Sequence, residues 1–140
     1  MTESDRDLII VAMVAYDEAR GEGQEGIRAQ VHSVVNRHNV GRWYSRKTLA
    51  GTCFLAYAYS ALNTSDPNRE VGAEVLIGDP IMSLCIAEVA AAINGTTDDP
   101  TDGATHYYAE GSSLPKWADP ANGAVFTQKI GKHLFFKNVA

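Results

Sequence analysis

Residues 14–23, VAYDEARGEG, set three carboxylates, Asp17, Glu18 and Glu22, around Arg20 between an apolar run and two glycines. A carboxyl kept protonated near neutral pH can donate a proton to a leaving group, whereas a solvated one is only a surface charge. On a helical wheel Asp17 lies opposite the Leu8/Ala12/Ala19 stripe and is expected in solvent. Glu18 projects beside Val11 and Val14, on the shoulder of that stripe and in the last helical turn. Partial desolvation and the negative end of the helix dipole both disfavour an ionised carboxylate there, as a general acid requires. Spacing alone leaves a second reading open, in which Glu18 pairs with Arg20 or Arg37. Glu22, between Gly21 and Gly23, reads as a loop acceptor or the partner of an arginine.

The segment GATHYYAEG alternates with period two, Thr105 and Tyr107 on one face, His106 and Tyr108 on the other. Hydroxyls and rings in that pattern suit a sugar groove and equally suit a half-buried strand. His106 and His133 are conceivable metal ligands, but no His-x-x-x-His or companion acid stands at ligand spacing. The loop from Asp98 to Asp102 lacks a calcium-loop pattern and reads as a turn. Phosphate-loop, dinucleotide and Gly-x-Ser-x-Gly motifs do not occur.

The elements that must position these residues follow from periodicity. Ser4-x-x-Asp7 predicts the start of a first helix carrying Leu8, Val11, Ala12, Ala15 and Ala19, ended by Gly21 and Gly23. A second helix is predicted from about Gln24 to His38, burying Ile27, Val31, Val34 and Val35. A short helix is expected near Leu49 and a weak one over 69–76. Asp79-Pro80 marks the N-cap and first position of another, closing at Asn94-Gly95. ATHYYA, AVFTQKIG and KHLFFKNV then read as strands, the last two meeting in a hairpin at Gly131-Lys132. Helices followed by a small antiparallel sheet give an α+β domain.

Composition bounds the function. The chain of 140 residues suits one domain, and 12 basic against 17 acidic residues, net −5, argue against nucleic-acid or anionic-membrane binding. The acidic N-terminus and the eight-residue run LIIVAMVA do not form a signal peptide, and no window reaches the length of a membrane span. Cys53 and Cys85 are too few for a metal knuckle or disulfide framework and read as plain buried thiols, Cys85 on a stripe with Met82, Ile86, Val89 and Ile93.

Six blocks taken in order resemble one family. YDEARGE is similar to the YGEARGE element of the SleB/CwlJ-type cell-wall hydrolases, the spore cortex-lytic enzymes and their bacterial and phage relatives. VVNR (34–37) follows in place, and YSALNTSDPNR resembles the family's FSCWNPxDPNR. DPTDGATHYYA matches DPTGGATHYHA, PKWA matches PxWA, and IGKHLFF matches IGxHxFY. The resemblance spans roughly residues 8 to 137. Asp17 departs from the usual Gly, and Ala61-Leu62 from Cys-Trp, which removes an aromatic that could contact sugar.

The resemblance implies a lysozyme-like catalytic domain acting on peptidoglycan glycan strands, with the first Glu of the motif, here Glu18, as catalytic residue. The expectation is therefore a single domain, 1–140, cleaving the MurNAc–GlcNAc β-1,4 bond. A lytic transglycosylase is preferred to a muramidase because no convincing second acid stands near Glu18: Asp17 faces away and Glu22 lies in a flexible turn. Glu22, Tyr59, Ser60, Asn63, Thr105, His106, Tyr107 and Trp117 are the expected substrate-binding residues. No cofactor, metal, nucleic acid or membrane insertion is expected, and the chain is expected to be a monomer. Its brevity and lack of a leader suggest a phage-type endolysin, made in the cytoplasm and acting on the wall after release. A metal-dependent amidase using His106 and His133, and a non-catalytic glycan-binding module, are the rival readings.

Overall fold

The computed structural model describes residues 2–55 and 78–140. Among them are four α-helices, α1 (Glu3–Ala19), α2 (Gly23–Asn39), α3 (Leu49–Phe54) and α4 (Pro80–Ile93). Three strands follow, β1 (His106–Ala109), β2 (Val125–Ile130) and β3 (His133–Lys137), with two short 3₁₀ turns, Lys116–Ala118 and Pro120–Asn122, between β1 and β2. The α+β architecture agrees with the sequence pattern. The predicted weak helix over 69–76 lies outside the described residues.

The N-terminus of α1 starts two residues before the predicted cap. Thr2 accepts the Asp5 N–H at 3.1 Å while the Asp5 carboxylate accepts the Thr2 N–H at 3.0 Å, a reciprocal capping box. Asp7, freed from that role, accepts the Ala50 N–H at 2.8 Å and fastens α1 to α3. The α1 stripe Val11, Ala12, Ala15 and Ala19 is buried as its spacing requires. Because α1 packs against α2, α3 and α4, it is the central helix and buries more than one face, including Val14 and Tyr16.

Helix α2 adds Ile27, Val31 and Val34 to the same core, each worth about 1.5–3 kcal/mol when fully buried. Asp79 caps α4 by accepting from the Ile81 and Met82 N–H groups, with Pro80 just inside. Met82, Cys85 and Val89 face inward, whereas Ile93 is half-exposed. Cys53 and Cys85 are free buried thiols, and burial pushes both up to about 12, far from reactive thiolates. Between α2 and α4, Arg28 grips Glu88 through Nε and Nη2 at 2.9 Å each, and Gln24 adds a third bond. The Arg28 hydrogen bonds hold the Glu88 carboxyl below its usual range.

The sheet order is β1-β3-β2, antiparallel throughout, with His106 opposite Phe136 and Ala109 opposite His133. The β2–β3 hairpin turns at Gly131-Lys132, and a bulge at Thr127 shifts its register. Alternation gives the sheet two unlike faces. Tyr107, Ile130, His133 and Phe135 share the face toward α2, where Ile130 and Phe135 pack with Ala29 and Ala104. His106, Tyr108, Leu134 and Phe136 share the other, covered by Tyr44, Trp117, Ala118 and Val139. The VVNR block is the clasp between layers. Asn36 donates to the Ala104 carbonyl and to Asp99, and Arg37 Nε donates to the Thr105 carbonyl at 3.0 Å. Among the described residues no helix is long and apolar enough to cross a membrane.

Candidate active site

The three opening carboxylates have three different fates. Glu18 stands half-buried in the last turn of α1 and engages its surroundings. Asp17, expected in solvent, is the correction: its side chain is only 2% exposed and pairs with Arg20 at 3.3 Å. The wheel failed because it assumed one buried face on a helix that is central to the domain. Arg20 in turn lies over the Tyr16 ring, 5.3 Å from its centre, so the pair is pinned against the core.

Glu22 is an acceptor, as its place between two glycines suggested, but a fixed one, and its side-chain partner is a histidine rather than an arginine. The chain passes Ala19 through one further turn, closed by the Glu22 N–H on the Ala19 carbonyl. The carboxylate then crosses to the hairpin. Oε1 accepts the Lys132 N–H at 2.7 Å, and Oε2 lies 2.9 Å from His133 Nδ1. Its side chain is 10% exposed. Two glycines make the space. A Cβ at Gly26 would sit 2.5 Å from the Glu22 Cβ, and one at Gly131 would run into the carboxylate, 2.9 Å from its Cδ. Gly131 also holds φ +57, a turn conformation that glycine adopts without strain. A flexible-turn residue is thus a fixed strut between the α1–α2 junction and the sheet.

His133 continues the network. Its ring meets Tyr107 edge-on at 4.9 Å, and the Tyr107 hydroxyl accepts from Gln30 Nε2 at 3.0 Å. Gln30 is buried, and its Oε1 has no hydrogen-bond partner among the described residues. Gln30 and the carboxylate-binding role of His133 were missed from the sequence. The IGKHLFF block held the His133 signal; nothing in the α2 pattern separated Gln30 from a surface glutamine.

The remaining expected site residues divide. Tyr107 faces the junction, as described. Thr105 is 4% exposed, its hydroxyl 2.8 Å from His106 Nδ1, and its backbone is held by Phe136 and Arg37. His106 is 7% exposed, edge-on to Tyr44 at 4.6 Å and beside Trp117 at 5.0 Å. Burial, reinforced by the Arg37 charge, lowers its pKa to about 3, so it is neutral throughout the physiological range. Thr105 and His106 therefore belong behind the surface rather than on a groove, because the strand is covered on both faces. Trp117, half-buried, sits with them in the aromatic cluster of the far face. Tyr59, Ser60 and Asn63 lie outside the described residues.

The strand register bears on the metal reading as well. His106 and His133 project from opposite faces of the sheet and cannot share one ion. Among the described residues no group of three or more His, Cys, Asp or Glu side chains could hold a metal. The Asp98–Asp102 loop is a turn tied to α2 through Asn36. Asp99 accepts from Thr101 N–H and Oγ1, Gly103 N–H and Asn36. Burial opposes its charge, but those bonds prevail and lower its pKa.

Comparison with known proteins bears on the family and the fold. The family model for cell wall hydrolases matches residues 21–136, a segment that includes Glu22 and begins just after Glu18. The chain is similar to the catalytic domain of the Bacillus cereus SleB protein, with 28% identity and TM-score 0.71, over 95% of this chain and 91% of that one. It is also similar to the catalytic domain of the germination-specific lytic transglycosylase SleB from Bacillus anthracis, with 29% identity and TM-score 0.69, over 94% of each chain. None of the curated proteins matches at a significant level.

Proposed function

Because the chain belongs to the cell wall hydrolase family, we propose that it cuts peptidoglycan glycan strands at the MurNAc–GlcNAc β-1,4 bond as a lytic transglycosylase. Glu18 is the catalytic residue. Its carboxyl protonates the glycosidic oxygen as the bond to the MurNAc anomeric carbon breaks and an oxocarbenium-like centre develops. The resulting carboxylate then takes the proton of the MurNAc C6 hydroxyl, whose oxygen closes on the anomeric carbon. A 1,6-anhydro ring forms, no water is consumed, and Glu18 is protonated again.

The observation that carries this reading is the commitment of the two neighbouring carboxylates. Hydrolysis by two acids needs a second carboxylate roughly 5 to 9.5 Å from the first, free to act as nucleophile or to activate water. Asp17 is paired with Arg20, its side chain almost entirely out of solvent. Glu22 has each oxygen already engaged by the hairpin. The single-acid route thus stands on a different footing from the sequence argument: Glu22 is bound rather than mobile. Its part is to fix the junction, with Tyr107 and His133, against which a glycan strand lies.

Mass spectrometry of digested murein tests the proposal. Muropeptides ending in 1,6-anhydro-muramic acid, lighter by one water than hydrolytic products, are expected. Reducing muramic ends as the main product would make the enzyme a muramidase and return Glu22 or Asp17 to the chemistry. Release of free stem peptides instead would mean an amidase, and binding without clearing of a murein suspension a glycan-binding module.

A further inference from the structure

Charge is distributed unevenly along this acidic chain. Residues 26–65 hold five of the 12 Lys and Arg residues and none of the 17 Asp and Glu residues. Within that stretch Arg28 is engaged with Glu88, and Arg37 is buried. The other three, Arg42, Arg46 and Lys47, are exposed in the loop that follows α2. Two of them are held in place by neutral groups. Arg42 donates to the Val139 carbonyl at 2.7 Å and to Asn138 Oδ1 at 3.3 Å. Arg46 donates to the carbonyls of Trp43 and Ser45 at 2.7 and 2.9 Å. Both guanidinium groups are thus held without a side-chain carboxylate partner among the described residues.

Between them stands Trp43, 71% exposed, its indole edge-on to the buried Tyr44 ring at 5.5 Å. A large ring left in water and oriented by a core residue, flanked by two immobilised guanidinium groups, is a preformed surface for an anion carried beside an apolar or sugar face. This surface lies away from the catalytic junction. Helix α2 has 17 residues and is about 25 Å long; Glu22 precedes its start, and Arg42 follows its end.

We propose that Arg42, Trp43, Arg46 and Lys47 form an exosite for peptidoglycan, binding a carboxylate of a stem peptide on the strand that the junction cuts. The proposal rests on the peptidoglycan reading and extends it to the part of the polymer that is not cleaved. A stem carboxylate fits better than a phosphodiester polymer for an electrostatic reason. An island of three cations on a protein of net charge −5 accommodates one short anionic group, whereas a continuous polyanion would be repelled by the rest of the surface. Arginine at such a site offers paired donors matched to a carboxylate, and holding the guanidinium in advance reduces the ordering cost of binding.

The test is co-sedimentation of the full chain with purified sacculi, with Glu18→Gln as the background so that the polymer stays intact. Arg46→Gln/Lys47→Gln should weaken binding about three- to tenfold, the range two screened surface charges command. Introduced into the chain carrying Glu18, the same pair should leave turnover of a short stem-free glycan oligomer and the melting temperature unchanged. Murein stripped of its stems should bind both forms equally, at the weakened level. Raising salt should erase the difference between them. Equal binding of the double variant and its parent to intact sacculi overturns the proposal, as does undiminished binding of the parent to stripped murein. Competition by a soluble teichoic-type phosphodiester polymer but not by stem peptide also overturns it. Failure of the peptidoglycan reading is seen separately, as absence of cleavage by the chain carrying Glu18.

Discussion

The two faces of the small sheet each carry one histidine, and the two residues live in different chemistry. On the far face His106 is enclosed by Tyr44, Trp117 and Phe136, with the Thr105 hydroxyl against Nδ1. Burial lowers its pKa to about 3, so it behaves as a neutral aromatic with one polar edge. On the near face His133 meets the Glu22 carboxylate and the Tyr107 ring, and that network continues through Gln30 into α2. One face completes a core; the other anchors the carboxylate strut beside the residue proposed to do chemistry. Residue type said nothing about which was which. The parity of the strand, together with what covers each side, decides it.

The sharpest break of the comparison is at Glu18. Glu18→Gln keeps the size of the side chain and removes the proton that the leaving oxygen needs. Turnover of murein should fall by about 10² to 10⁴, the usual worth of a general acid. Circular dichroism and thermal melting should show the fold intact. A variant retaining more than about a tenth of the turnover sinks the mechanism, and one inactive only because it unfolds makes Glu18 structural.

A smaller loss tests the strut. Gly131→Ala puts a methyl group into the Glu22 carboxylate and places alanine at φ +57. The carboxylate must move from the Lys132 N–H and His133, and the junction loosens with it. Activity should drop roughly tenfold to a hundredfold, as displacements near 1 Å do in enzyme sites. Glu22→Gln should fall between this variant and wild type, since one acceptor oxygen is kept. Steady-state assays with a matched melting curve distinguish the effect from unfolding. Wild-type turnover in Gly131→Ala would show that the strut does not position the site.

The contrast also explains what the sequence could and could not deliver. Helix α1, helix α2 and the Asp79-Pro80 cap were legible because their signals are local: a 3.6-residue period, a capping side chain, a proline that needs no N–H. The hairpin at Gly131 was legible for the same reason. Asp17 was misread because its burial depends on α1 being packed on several sides, which its own wheel does not record. Glu22 looked mobile between Gly21 and Gly23, and its partners lie more than a hundred positions away in the hairpin. Thr105 and His106 had the right alternation for a groove, but alternation fixes only which residues share a face, not what covers it.

The least disruptive change examines the far face alone. His106→Asn keeps an amide near the Thr105 hydroxyl and removes a ring whose protonation the fold opposes. The folded pKa is about 3, below the ordinary value near 6.5. The unfolded chain therefore binds a proton that the folded chain refuses as pH falls below about 6.5. The stability contribution of neutral His106 is full above that pH and is lost progressively between about 6.5 and 3, by up to roughly 1.4 kcal/mol per pH unit. Urea titrations at stepped pH should show wild-type stability falling more steeply over that window than the stability of His106→Asn. At pH 7.5 the variant should be somewhat less stable, having lost ring contacts with Tyr44 and Trp117, while its turnover of murein stays within about twofold of wild type. Identical pH slopes would mean that His106 is protonated in the fold. A large loss of turnover in a folded variant would bring the far face into the site and dissolve the distinction between the two.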